Sequence, residues 1–247
     1  MITEYFNLIV YEPIYNGLAF LVTLTVGDVG LAVVLLTIVV RIILFPLAYS
    51  ASRTQIAMRA IDPEIRALRE RLKDKREELA RETMTLFKKH KINPFASIGF
   101  ILIQLQIIIG LYLVFSAEGA NLTFDPSILY SFVAAPVKAS LTFLGILDLS
   151  GRSIVLALLV GVTQFYYARL LMPQMPVASG KSFQDDLSKS MHIQMRYVFP
   201  FMMAGIAYAI SGIIALYFLT SNIFGILQEV MVKRLHDRQG VNREAHS

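Results

Sequence analysis

Arg41 lies inside an apolar run, Leu31 to Ala48, that reads LAVVLLTIVVRIILFPLA. A run of this length and composition is a candidate membrane span, and a cation inside one is costly. Estimates run from about 3 kcal/mol on insertion scales to more than about 10 kcal/mol in simulations. The side chain must snorkel to an interface, pair with an anion, or face water held inside the protein. Eleven steps separate Gly30 from Arg41, roughly 16 Å of helix against a hydrocarbon core of about 30 Å. Snorkelling is the ordinary solution for a long basic side chain, but it is hardest at that depth. The position favours a water-filled cavity or groove over snorkelling.

The rest of the chain agrees with a membrane setting. Of its 247 residues, 55% are hydrophobic and 17% charged, and the mean hydropathy is +0.58; soluble domains carry about 25% charged residues. The length suits one polytopic domain with little left for a separate module. There is no cysteine, which excludes disulfides, thiolate catalysis, cysteine metal sites and a cysteine-borne lipid anchor. The N-terminus has neither the basic region of a signal peptide nor the Arg/Ser-rich character of a transit peptide. A net charge of +5 raises nucleic acid as a partner, but the placement of the charges argues otherwise.

Residues 1–40 contain no Lys or Arg, only Glu4, Glu12 and Asp28, whereas residues 50–95 contain twelve, from Arg53 to Lys91. By the positive-inside rule the first span, 30–49, runs from outside to inside and leaves 50–95 in the cytoplasm. The remaining apolar runs place a second span at 96–117, a third at 153–172, and a fourth and fifth as a hairpin over 193–232, turning at Ser211-Gly212. Between them lie an extracytoplasmic loop, 118–152, and a cytoplasmic loop, 173–192; a basic tail, 233–247, follows. Twenty of the 23 basic residues fall on one side of this N-outside, C-inside scheme. Residues 1–29 include an apolar stretch, 5–26, interrupted by Glu12, Pro13 and Asn16. It reads as a helix in the outer interface better than as a sixth span. The moderately apolar 122–143, with Pro126, Pro136 and Lys138, reads as loop with short interfacial helices. The expected fold is an all-α, five-span membrane protein.

The segment 50–95 reads as a basic helical hairpin. Asp62-Pro63-Glu64 is a helix start, with a capping Asp, Pro at the first helical position and an early acid. Ile65, Leu68 and Leu72 follow at helical spacing, and Leu79, Leu86 and Phe87 mark a second helix after a turn at Asp74-Lys75. Asn93-Pro94 ends it. The pair either merely connects two spans or offers a basic docking surface to anionic lipid headgroups, a ribosome or a protein partner. Aromatic residues are absent from the charged stretch until Phe87, so no specific nucleic-acid recognition is expected.

Several spans carry polar residues. Thr37 stands one turn before Arg41 and shares its face, though a bond back to its own helix is an equal reading. Gln104 and Gln106 point about 200° apart, so at most one shares a cavity with Arg41. The third span holds Thr163 and Gln164, and the fifth holds Tyr217, Ser221 and Asn222. Singly, each can be interhelical glue worth about 0.6 kcal/mol. Together, four spans supply polar side chains at mid-depth with no acid among them. Glu229, the only carboxylate in any of the five runs, stands near the cytoplasmic end. An arginine so placed draws an anion from elsewhere, whereas a proton pump or cation transporter would set Asp or Glu beside its pathway. The four histidines lie in loops, at span ends or in the tail, and no nucleophile–base pair or HExxH motif can be built from them. No enzyme activity and no cofactor are expected.

Taken in order, these blocks resemble the YidC-type membrane protein insertase family in its short five-span form. They are the span GLAVVLLTIVVRIILFPL with the charged DPEIRALRERLKDKREELARETMTLFKKHKINPF, LIQ at 102–104, DLS to LLVGVTQF from Asp148, the Pro200 span, and the hairpin from Ser211-Gly212 through LYFLTSN to Asn222. The set covers roughly 30–117 and 144–235. Two positions depart from the family pattern: Leu105-Gln106 replaces Met-Pro, and Ile210 replaces the Pro before Ser211-Gly212. Residues 120–142 look like an insertion. The resemblance implies an insertase and chaperone of the bacterial plasma membrane with a hydrophilic groove open to cytoplasm and lipid. Arg41 would be its substrate-binding residue and Thr37, Gln104, Gln164 and Tyr217 candidates for the groove wall. Implied partners are nascent membrane proteins, with the ribosome, the secretory translocon and anionic lipids beside them. The rival reading is a small anion channel or transporter selective through Arg41, although no inverted repeat supports it. A scaffold for membrane complexes is a third.

Overall fold

The computed structural model describes residues 2–72, 75–90, 92–93, 95–118, 122–171, 190 and 193–244. The expected loop 173–192 falls almost wholly outside them, as do Asp74, Pro94 and the last residues of the tail. The chain forms two compact units, Met1–Ile42 with Ile107–Ser247, and Ile43–Gln106.

The first unit begins with α1 (Ile2–Phe6), a π-helical stretch (Asn7–Tyr11) and α2 (Glu12–Leu24). Tyr15, Leu18, Ala19 and Val22 repeat at helical spacing, and this face of α2 is completely buried, while Phe20 and Leu24 are exposed. The three interruptions seen in the sequence resolve locally. Glu12 and Pro13 occupy the first turn of α2, where a missing N–H is harmless. Asn16 is buried, accepts from the Tyr130 N–H (2.6 Å) and donates to the Ile128 carbonyl (3.0 Å).

The turn after α2 satisfies its last carbonyls by a double bond pattern, Gly27 N–H to Val22 O (2.8 Å) and Val26 N–H to Thr23 O (3.3 Å). Asp28 then caps α3 (Val29–Ile43) by accepting from the Leu31 N–H at 2.9 Å. The helix stops at Ile43, and α4 (Phe45–Ala60) starts beyond Leu44. The residues expected to form the first span, 30–49, are therefore divided between two helices. Pro46 in the first turn of α4 offers no N–H to the Ile42 carbonyl, and its ring crowds that oxygen.

Beyond α7 (Phe95–Glu118) the described part of the long loop holds no helix, contrary to expectation. It is a cap of turns with a two-stranded antiparallel hairpin, β1 (Thr142–Phe143) and β2 (Leu147–Asp148). Pro126 and Pro136 supply no amide donors, and side chains of α2 take up the loop backbone instead. The Tyr15 hydroxyl accepts from the Asp125 N–H at 2.6 Å, and Asn16 bonds the loop at two points.

Next come α8 (Ile154–Leu171), a π-helical stretch (Gln194–Val198), α9 (Phe199–Ala209) and α10 (Gly212–Glu244). α8 packs along both α9 and α10. A Cβ on Gly161 would stand 3.0 Å from Ala204 Cβ, so these two helices touch closely. Gly212 opens α10 against the cap: its N–H donates to Gly151 O at 2.8 Å, and a Cβ there would stand 2.9 Å from Leu149 Cα.

Among the described residues, three helices contain stretches long and apolar enough to cross a membrane: Gly99–Ser116, Ile154–Leu171 and Gly212–Leu235. The broken pair α3 and α4 makes a fourth if counted as one span. α9, with 11 residues, is too short alone, since a π-helical stretch rather than α-helix precedes it. Leu158, Val162, Phe201, Ile223 and Leu227 all face outward. A water-soluble domain does not expose contiguous apolar surface on this scale; hydrocarbon is the solvent it fits. The fold is that of an all-α polytopic membrane protein.

In the second unit α5 (Asp62–Arg71) and α6 (Arg76–Lys89) follow α4. Ile61, Ile65, Leu86 and Ile92 form a small core there, with Ala57, Met58, Leu68 and Phe87 against it. The helix start is shifted by one residue from the sequence reading: Ile61 is the capping position. Asp62 lies within the first turn, where its carboxylate accepts from Arg66 Nε at 2.9 Å.

Candidate functional site

Arg41 stands in the last turn of α3, and only 7% of it is exposed. A cation is favoured there by the carbonyl end of the helix. Its guanidinium is hydrogen-bonded to the side chain of Tyr167 on α8. That phenol is seated against Gly225 of α10, where an added Cβ would stand 2.9 Å from the ring Cζ and 3.2 Å from the hydroxyl oxygen. One turn further along α10, Glu229 is 2% exposed and acts electrostatically on the same tyrosine. Three helices thus bring an arginine, a phenol and a carboxylate together. The sequence reading, which set Glu229 apart from the mid-depth polar residues, is corrected here. The break after Ile43 puts Arg41 at a helix end, and α10 carries Glu229 to the tyrosine that Arg41 bonds.

Along α10 the spacing Tyr217, Ser221, Gly225, Gln228 keeps one face towards the interior. Tyr217, Ser221 and Gln228 are buried. Ser221 Oγ and Gln228 Oε1 have no hydrogen-bond partner among the described residues. Buried polar atoms normally have one, so these two call for water or an incoming polar group. Asn222, by contrast, donates to Thr163 Oγ1 (3.2 Å) and Val160 O (3.4 Å) and ties α10 to α8. Below the cluster, Lys233 Nζ donates to Leu170 O and closes the last turn of α8.

Thr37 is buried on the face that carries Arg41, with its hydroxyl donating to Val33 O at 2.6 Å. Gln164 is half-buried on α8, one turn before Tyr167. Gln104 belongs to the second unit, half-buried on α7. Tyr167, Gly225 and Glu229 went unnoticed as a set, yet the signal was available. Gln164 and Tyr167 stand three apart, and Ser221, Gly225 and Glu229 four apart, so each group shares a helix face.

Fold and site together define a polytopic helical membrane protein that holds a charged cluster among its helices. The chain belongs to the family described as 60Kd inner membrane protein, whose model matches residues 21–239. It is similar to proteins named membrane protein insertase YidC. One, from Clostridium tetani, is 29% identical over 217 residues, covering 87% of this chain and 86% of that protein. Others, from a Ruegeria species and Tolumonas auensis, are 30% identical over 91% and 94% of this chain but only 36% and 37% of their own length.

Proposed function

We propose that this chain is a membrane protein insertase and chaperone of the bacterial plasma membrane. The observation that carries the reading is the buried guanidinium of Arg41, held by Tyr167 beside a polar face of α10 with two unsatisfied oxygens. The printed names of its relatives support the same function. In this proposal the cluster lines a hydrophilic groove open to the cytoplasm and to lipid. Arg41 binds the acidic or polar tail of a nascent membrane protein, with Thr37, Gln164 and Tyr217 contributing to the wall. A charge-assisted bond in a low-dielectric setting is strong enough to hold the tail and is released without covalent chemistry. The groove shortens the hydrocarbon that the tail must cross. The apolar segment leaves along the exposed faces of α8 and α10. An anionic tail is drawn outward by the membrane potential, about 2.3 kcal/mol per charge per 100 mV. The N-terminus lies outside and the C-terminus in the cytoplasm. The basic α5–α6 pair receives substrate and meets anionic lipid, and the ribosome and secretory translocon are its companions.

The test replaces Arg41. Losing a charged hydrogen-bond partner costs about 1.5–3 kcal/mol, roughly 10- to 100-fold in binding. Arg41→Ala should reduce insertion of acidic-tailed substrates into proteoliposomes by that order, while Arg41→Lys retains most of it. Photo-crosslinking to a stalled nascent chain from position 164, which leaves Arg41 in place, should give adducts. Full insertion by the alanine variant, or no adducts, would refute the assignment. Flux of small anions through the purified protein without insertion would favour a channel instead.

A further inference from the structure

At the end of the first unit where α3, α8 and α10 begin, two turns depart from ordinary turn chemistry in the same way. The turn after α2 needs a left-handed residue at its second position, usually glycine. Here Val26 holds it, with φ 57°, followed by Gly27 at 95°. A β-branched residue in that region is strained. In the hairpin turn closed by Ile146 N–H to Phe143 O (3.0 Å), Leu144 (φ 51°) and Gly145 (φ 71°) are both left-handed. Asparagine before glycine is the usual pair in such a turn. Both misplaced residues are aliphatic and directed away from the protein. Val26 is 93% exposed and Leu144 58%, and near them Val137 is 96% and Ile146 87% exposed. In water, nothing offsets either the strain or the exposure.

The two turns form one body. The Asp28 carboxylate accepts from both the Leu31 and the Leu144 amides, at 2.9 and 2.7 Å. Ser140 donates its N–H to Gly27 O (2.7 Å) and accepts from the Val29 N–H (3.1 Å). These bonds fix the aliphatic tips within a few residues of Val29, where an apolar helix starts and hydrocarbon gives way to headgroups. The tips also continue the exposed apolar side of α2 at Phe20 and Leu24. Exposed Lys138 stands at their rim, as expected of a surface that meets phosphate headgroups. We propose that Val26, Val137, Leu144 and Ile146 form a rigid apolar wedge that enters the bilayer interface and anchors the cap in lipid. This site is separate from the Arg41 cluster and stands whether or not that cluster binds substrate.

The chain has no cysteine and no tryptophan, so single probes report cleanly. Full-length Ile146→Cys, labelled with an environment-sensitive dye in phosphatidylglycerol/phosphatidylethanolamine proteoliposomes, is compared with Glu77→Cys on the charged α6. The wedge predicts at least about threefold stronger quenching at 146 by a nitroxide on a shallow acyl carbon, and at least about threefold weaker quenching by iodide. Equal behaviour at the two positions overturns it. So does protection from iodide that follows protein density, which would assign the tips to a second copy. Should the labelled protein fail to fold, Ile146→Trp read with brominated lipid gives the same decision. A Val26→Gly, Leu144→Asn double variant should unfold in detergent no earlier than the parent, while the reporter at 146 loses nitroxide quenching. Earlier unfolding would mean that the tips serve contacts within the protein, and would also overturn the wedge.

Discussion

The buried Arg41 guanidinium is bonded to the phenol of Tyr167, and the buried carboxylate of Glu229 acts electrostatically on the same tyrosine. Each partner should therefore have a separable effect. Tyr167→Phe removes a hydrogen bond to a charged group, worth about 1.5–3 kcal/mol. Thermal unfolding in detergent should begin at lower temperature, and crosslinking from position 164, with Arg41 in place, should weaken without vanishing. Unchanged values for both would show that the tyrosine does not hold the arginine. Glu229→Gln removes the resident negative charge and leaves the arginine more attractive to an incoming anion. Crosslinks between position 164 and an acidic-tailed nascent chain, with Arg41 in place, should become more abundant and slower to resolve. A fall in adducts would mean that Glu229 orients the site rather than competing with substrate.

At the scale of elements, the absence of a side chain at Gly225 makes room for Tyr167 between α8 and α10. Gly225→Ala places a methyl group against the ring, and overpacking of this kind costs about 1–3 kcal/mol. The measurable outcome is a lower unfolding temperature that Gly205→Ala, in open space on α9, does not share. The cap has its own pH dependence. Asp148 is held below the usual 3.8 first by the Ser150 hydroxyl and then by the Ser150 N–H, and Asp125 first by the Ser127 N–H and then by its hydroxyl. A depressed carboxyl stabilises the folded loop above its ordinary pKa, and the contribution is lost as pH falls through the lower folded value. Amide exchange at Ser150, corrected for its intrinsic pH dependence, should lose protection below about pH 4. Asp148→Asn should remove that acid step.

For the whole molecule, charge asymmetry along the chain gives a prediction of orientation. In sealed cells, Ser131→Cys in the cap should react with an impermeant maleimide added outside, and Glu77→Cys only after permeabilisation. The reverse pattern would invert the proposed topology and take the groove's cytoplasmic opening with it. The apolar helices were legible because hydrocarbon demands long, nearly charge-free runs, and such runs survive any detail of packing. The break after Ile43 was written in Phe45-Pro46 but masked by the hydropathy of the run around it. The cap was legible as a loop, but not its turns in place of short interfacial helices, because its backbone partners, Tyr15, Asn16 and Asp28, lie more than a hundred positions away in sequence.

Composition, hydropathy period and the distribution of Lys and Arg determined that this chain is an all-α membrane protein with a charge buried in its first apolar run. Those are local or summed properties, and solvent reads them without knowing the fold. Only the tertiary structure decided that Arg41 meets Tyr167 in a notch made by Gly225, with Glu229 acting on the same phenol. Which residues of separate helices meet depends on crossing geometry and on side chains that are absent as much as on those present, and no single run of sequence encodes that.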